Sequence, residues 1–193
     1  MISGEFLNKY QSSANLVAVY PGRLGERIDI PIAGLLYVSM GLSGEIGELQ
    51  EKIVCKCNLE EIKKEFGDVY WYISQVCMEL STPMSYLTKV KIEFKKLRKL
   101  QDADMLLERQ LLALSILSGR VNEIMKKSFR DSNGHISGDK KNEVIEILAK
   151  ILHNLNGLSG MCGILPEDAM DANIHKLFSR KDRRVLRGSG DNG

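Results

Sequence analysis

Leu42-Ser-Gly-Glu45-Ile-Gly-Glu48-Leu49 and, after a spacer, Lys63-Lys-Glu65-Phe-Gly-Asp68-Val-Tyr-Trp-Tyr72 carry the fold and the chemistry of this chain together. Apolar residues recur at helical spacing in both segments: Leu42, Ile46, Leu49 and Ile53 in the first, Ile62, Phe66, Val69, Ile73, Val76 and Leu80 in the second. Each series marks one face of an amphipathic helix. Measured from that face at about 100° per residue, Glu45 and Glu48 fall about 60° and 120° to one side, and Glu65 and Asp68 fall at the same two angles on the same side. The loop near Cys57–Leu59 is short, so the two helices are expected to be antiparallel neighbours. The two-fold rotation relating such neighbours preserves the side on which a residue sits. Glu48 and Asp68 then stand at nearly equal height above the loop, with Glu45 and Glu65 within about a turn of them.

Carboxylates gathered along one flank repel, and some are driven to protonate unless cations stand between them. Oxygen-only ligation suits Mg²⁺, with Mn²⁺ as a substitute. One Glu-x-x-Glu pair in a chain that is 27% charged reads as a solvated helix face, but two pairs on matched flanks do not. A di-iron bundle would need Glu-x-x-His motifs, and His135, His153 and His175 all lie elsewhere.

LSGEIGEL followed by KKEFGDVYWY resembles the metal signature of the all-α nucleoside triphosphate pyrophosphohydrolases, the MazG-like superfamily, and NIHKLFSRKDRRVLRGSGDN resembles the C-terminal signature of its MazG-like members, several of them phage-encoded. The resemblance runs from about Tyr10-Gln11 to the end of the chain. It implies an all-α MazG-like helical bundle, metal ligation by Glu45, Glu48, Glu65 and Asp68, and a nucleoside triphosphate as the partner molecule. It also implies Glu48 as the group that orients or deprotonates the attacking water, and Tyr10 and Gln11 as base-contacting groups.

The chain of 193 residues is long enough for one generous domain or two small ones, and its 44% hydrophobic content supports a packed core. A net charge of only +2 gives no reason to expect a nucleic-acid or membrane surface. The near-apolar run Ile30–Met40 is too short to span a bilayer and contains Pro31. The cysteines, Cys55, Cys57, Cys77 and Cys162, show neither Cys-x-x-Cys spacing nor a disulfide framework. With no secretory signal visible, the expected location is the cytoplasm, that of the host if the chain is phage-encoded.

Helical periodicity punctuated by Pro and Gly predicts helices over about Gly4–Tyr20, Pro31–Cys55, Glu60–Leu80, Pro83–Leu100, Asp102–Ser128, Lys140–Leu158 and Pro166–Ser179, and no sheet. Leu42-Ser-Gly-Glu-Ile-Gly-Glu-Leu49 aligns with Leu117-Ser-Gly-Arg-Val-Asn-Glu-Ile124, and Val69, Ile73, Val76 and Leu80 align with Ile151, Leu155, Leu158 and Cys162. Both copies proceed to a Pro-initiated helix, at Pro83 and Pro166. The pattern reads as a duplication: a unit over 1–101 carrying the acids and a degenerate unit over 102–193, together a covalent pseudo-dimer. In the second copy Arg120, Ile147 and Lys150 replace Glu45, Glu65 and Asp68, and only Glu123 matches an acid. What that copy retains resembles the other half of the family signature, Lys126, Lys127, Arg130-Asp131 with Asn133-Gly134, Asn173, Lys176, Arg180, Arg184 and the loop Gly188–Asn192, and the resemblance implies Lys126, Lys127, Arg130, Asn173, Lys176, Arg180 and Arg184 as substrate-binding residues. Association of such pseudo-dimers into a homo-oligomer is a further expectation. FRDSNGHISGDK lacks a calcium loop's first and last ligands, having Phe129 and Lys140 there, and reads as a turn or substrate-facing loop.

A triphosphate can approach this many carboxylates only through bridging Mg²⁺, which also lowers the pKa of a coordinated water. In-line attack on the α-phosphorus would release pyrophosphate and a nucleoside monophosphate. Lys52 and Lys56 are placed to meet the β- and γ-phosphates, the competing reading being an ordinary i,i+4 pair between Glu48 and Lys52. Tyr72 lies on the acid flank, where it can stack on a base; Trp71 points away from the core stripe, toward packing with the second copy. Two other classes fit the same sequence: a catalytically inactive nucleotide-binding regulator, and a structural helical-bundle partner that binds no metal.

Overall fold

A computed structural model of the chain describes residues 2–20, 30–92 and 103–185. Its elements are α1 (Gly4–Asn15), α2 (Ala33–Val54), α3 (Leu59–Glu79), a 3-10 helix (Met84–Lys89), α4 (Ala103–Asp131), α5 (Gly138–Met161) and α6 (Pro166–Asp182). All regular structure among the described residues is helical, and no described helix is long and apolar enough to cross a membrane. The four cysteines are free thiols.

Local chemistry sets the helix ends. Ser3, Asn58 and Ser137 cap α1, α3 and α5, each side chain accepting from the amide three residues on, while Pro166 opens α6 at a position where a missing N–H costs nothing. α1 stops at Asn15 rather than Tyr20, the chain unwinding through i→i+3 turns at Leu16, Val17 and Ala18. The helix expected from Pro83 to Leu100 is instead a 3-10 helix, and Val90 is extended. Its apolar residues Met84 and Leu87 are three apart, a spacing that a 3-10 helix eclipses on one buried face. The remainder of that expected helix, the boundary between residues 101 and 102, and Gly188–Asn192 lie outside the described residues.

α2 and α3 form an antiparallel hairpin closed by a Schellman turn, with Lys56 left-handed (φ 54°) and Cys57 N–H donating to Lys52 O at 3.0 Å. α4 and α5 pair likewise through a turn at Asn133-Gly134, both at positive φ. α4 runs antiparallel along α2: Gln50 meets the Leu111 carbonyl and Ser115, Ser43 accepts from Asn122 at 2.8 Å, and Gly134 abuts Pro31.

The ends of α3 and α5 are the same motif. Ser81 and Gly163 are left-handed (φ 51° and 71°); Thr82 donates to Cys77 O and Ile164 to Ser159 O, both at 2.9 Å. The elements that follow cross over, the 3-10 helix packing more on α5 than on α3 and α6 packing chiefly on α3. One continuous core results, taking Leu7, Leu42, Phe66, Val76, Leu114, Val121, Leu148 and Leu155 from both halves.

The crossing of α6 over α3 depends on Gly67, where an added Cβ would stand 2.8 Å from both Ala169 O and Asn173 Cβ. Gly67→Ala is expected to destabilise the protein by about 1–3 kcal/mol through overpacking. Gly44→Ala, on a helix surface with nothing within 4 Å, should stabilise it by about 0.5–1 kcal/mol. Urea midpoints check both, and equal shifts would contradict the close packing at Gly67.

Candidate metal centre

The hairpin brings carboxylate oxygens of Glu45, Glu65 and Asp68 to within 4.8 Å of one another. Glu65 is 7% exposed, and Glu45 and Asp68 are half-buried. Glu48, expected as the fourth ligand, is exposed and outside this group, although its charge still acts on Glu45. The reason is angular: Glu48 lies about 120° from the apolar face of α2, twice as far round as Glu45. Asp68 has the same angle on α3 but is covered by α6. Burial, helped by the charges of Asp68, Glu48 and Glu65, raises the Glu45 carboxyl from its ordinary 4.5 to about 8. That is the cost of crowding acids in a poorly solvated space, and a divalent cation would relieve it. Oxygen-only donors at this separation fit Mg²⁺ or Mn²⁺.

α6 supplies the countercharge. Lys176 Nζ donates to both carboxylate oxygens of Asp68, at 2.8 and 2.6 Å, and Asn173 Nδ2 donates to Oδ1 at 2.6 Å. Tyr10, 3% exposed, donates to Asn173 Oδ1 at 3.2 Å and also approaches Gly67 O at 3.3 Å, which fixes the amide's orientation. A hydrogen-bonded line thus runs from α1 through α6 to the acid on α3. Tyr10 is therefore a support for Asn173, not an open base contact.

Other expected site residues lie elsewhere. Gln11 is buried as a clamp, donating to Thr82 O at 2.9 Å and accepting from Met84 N at 2.9 Å, so it is occupied by the backbone. Lys52 pairs with Glu61 across the hairpin at 3.0 Å rather than with Glu48. Lys56 is exposed in the left-handed turn, because α2 ends at Val54, and so does not continue the acid flank. Lys126 and Lys127 bind Glu123 on their own helix at i,i+3 and i,i+4, and Arg130 binds its neighbour Asp131 at 2.6 Å. The register of α4 on α2 sets these three level with the first turns of α2, beyond the acids. Arg180 is half-buried one turn past Lys176 on α6, and Arg184 is exposed beyond the helix end at φ 60°.

Tyr72 covers Gly41 of α2, where an added Cβ would fall 2.1 Å from the ring. Burial raises its pKa, as do the neighbouring Tyr37 and Glu45, so the ring stands beside the acid group. Trp71 packs edge-on to Tyr20 and Tyr72, with centroids at 6.3 and 4.9 Å. On the opposite side of the acids a cleft of about 220 Å³ opens between α3 and α6, lined by Glu60, Lys63, Lys64, Ala172, Asn173 and Lys176. The sequence carried one signal for this cleft, the Lys63-Lys64 pair immediately before Glu65, with Lys64 on the same face as Asp68 at i,i+4.

The raised Glu45 carboxyl makes stability depend on pH. Between about 4.5 and 8 the folded protein keeps a proton that the unfolded chain has released, so this contribution is complete below the lower value and lost as pH rises to the upper one. In EDTA, Tm should fall as pH rises through that window, and Glu45→Gln should flatten the fall. An undiminished fall in the variant would place the titration on another group.

No family model and no solved structure matches the chain. Gene 37 protein of Mycobacterium phage L5 is 35% identical to it over 102 residues, which is 48% of this chain and 82% of the phage protein. By that match the chain belongs to the same family as Gene 37 protein of Mycobacterium phage L5.

Proposed function

We propose that the protein is a Mg²⁺-dependent nucleoside triphosphate pyrophosphohydrolase of MazG-like type, acting in a cell's cytoplasm as a phage-type enzyme and built as a duplicated pseudo-dimer with one site per chain. The observation that carries this reading is the convergence of Glu45, Glu65 and Asp68 from two helices, with a lysine and an asparagine from α6 closing on the same carboxylate. The matching caps of α3 and α5 and the crossed packing of the elements after them support the duplication.

Glu45, Glu65 and Asp68 would hold Mg²⁺, which when bound supplies charge neutralisation for the triphosphate and acidifies water. Glu48, exposed beside them, orients the attacking water and takes its proton. The water oxygen forms a bond to the α-phosphorus as the anhydride bond to the β-phosphate breaks, leaving a nucleoside monophosphate and pyrophosphate. Tyr10 and Asn173 keep Asp68 in place. Lys176 holds Asp68 through charge-assisted hydrogen bonds and is the cation that incoming phosphate oxygens would draw away. Tyr72 offers a ring beside the acids for a base.

One observation favours a second reading. The direct Lys176 to Asp68 pair already balances one carboxylate, as a structural bundle without metal would require. Hydrolysis separates the two. With a panel of deoxynucleoside triphosphates and Mg²⁺, pyrophosphate release is expected from the wild type, and a loss of at least about 100-fold in kcat/KM from Asp68→Asn or Glu48→Gln with unchanged helical content. Absence of Mg²⁺-dependent release from every substrate would support the structural reading instead, and near-normal turnover in either variant would overturn the assignment of that acid to the site.

A further inference from the structure

We infer that the cleft between α3 and α6 is a polyphosphate-binding subsite, with Lys63 and Lys64 as its anion-binding residues. Lys63, Lys64 and Lys176 line it with one carboxylate, Glu60; with Lys176 set against Asp68, the lining still carries net positive charge, opposite to that of the adjoining acids. The two regions are continuous: Asn173 and Lys176 line the cleft and also hold Asp68. Ala172, with no side chain beyond Cβ, leaves the α6 wall open.

The order along α3 gives the site a direction. Lys64 precedes Asp68 by one turn, a rise of about 6 Å, and Tyr72 follows it by one turn. Each of these residues lies on the same face at i,i+4. A chain of linked phosphates anchored near the acids at one end therefore runs toward Lys64 and Lys63 at the other. The lysine end takes the terminal phosphates, and the aromatic end is left for what they are attached to. Compact ammonium groups suit this role because they meet phosphate oxygens as point charges without demanding one geometry. Lys52 and Lys56 do not line this cleft: the first lies across the hairpin at Glu61 and the second in the hairpin turn.

The direction of the substrate rests on the proposed hydrolase reading, but the cleft itself is tested apart from it. The probe is inorganic tripolyphosphate, titrated calorimetrically into the full chain with Mg²⁺ present so that the acids carry their cation; it holds no nucleoside, so hydrolysis of a nucleotide plays no part. Wild type is expected to bind, and Lys63→Gln/Lys64→Gln to bind at least about tenfold more weakly, as the loss of two phosphate-facing charges implies. Lys140→Gln/Lys141→Gln carries the same change of net charge on exposed α5 and should bind as wild type does. Equal weakening in both double variants, or none in the first, overturns the subsite. If tripolyphosphate binding follows the prediction while no nucleoside triphosphate is hydrolysed with Mg²⁺, the cleft stands and the hydrolase reading falls. If hydrolysis is found and the Lys63/Lys64 variant binds tripolyphosphate normally, the reverse holds.

Discussion

The hold that α6 keeps on the Asp68 carboxylate ties the rest of the molecule together. Lys176 and Asn173 reach it because Gly67, one residue earlier on α3, lets the backbone of α6 come close at Ala169. The ion pair is about four-fifths buried on both sides, and hydrogen bonds to a charged group in such a setting contribute about 1.5–3 kcal/mol. It therefore fixes the crossing of the last helix, and with it the contact between the halves of the chain. Tyr10 extends the same line to α1. Stability and site geometry are thus coupled: what positions Asp68 for a cation also joins the first helix to the last.

The arrangement is electrostatically tense on purpose-built ground. Three carboxylates share a small volume, and the lysine and asparagine of α6 hydrogen-bond to Asp68 among them. The raised carboxyl of Glu45 is where the excess charge is felt. A bundle selected for stability alone would replace such a group by an apolar one of similar size, often without loss. Under the proposed duplication, Ile147, aligned with Glu65, takes that course and is almost wholly buried, while Lys150 puts a base at the position aligned with Asp68. That contrast supports the proposed binding role of the acids.

Much of this was legible in the sequence. The apolar stripes of α2 and α3 are long and regular, so the hairpin and the convergence of Glu45, Glu65 and Asp68 follow from 3.6-residue periodicity and a short loop. Asn173 and Lys176, expected as substrate-binding residues, stand on the Asp68 carboxylate, a pairing the helical pattern does not report. What was not legible depended on local competition. Lys126, Lys127 and Arg130 found acids within four residues on their own chain segment. Gln11 was claimed by backbone groups near Thr82 and Met84, and Lys52 by Glu61 across the turn. No periodicity reports such pairings. The 3-10 helix after Pro83 escaped for a related reason, since a stretch of six residues is too short to distinguish periods of 3.0 and 3.6. Beyond the i,i+4 step from Lys64 to Asp68, no spacing in the sequence singles out Lys63 and Lys64, because the other wall of their cleft comes from the distant α6.

The central claim is that the acid group on α2 and α3 takes a divalent cation. The most direct measurement is anomalous diffraction at the manganese edge from crystals grown with Mn²⁺. The account predicts an anomalous peak within coordination distance of Glu45, Glu65 and Asp68, about 2.0–2.2 Å from their oxygens, with Lys176 Nζ withdrawn from Asp68. A structure at saturating Mn²⁺ with no peak there and the Lys176 to Asp68 pair intact would contradict it.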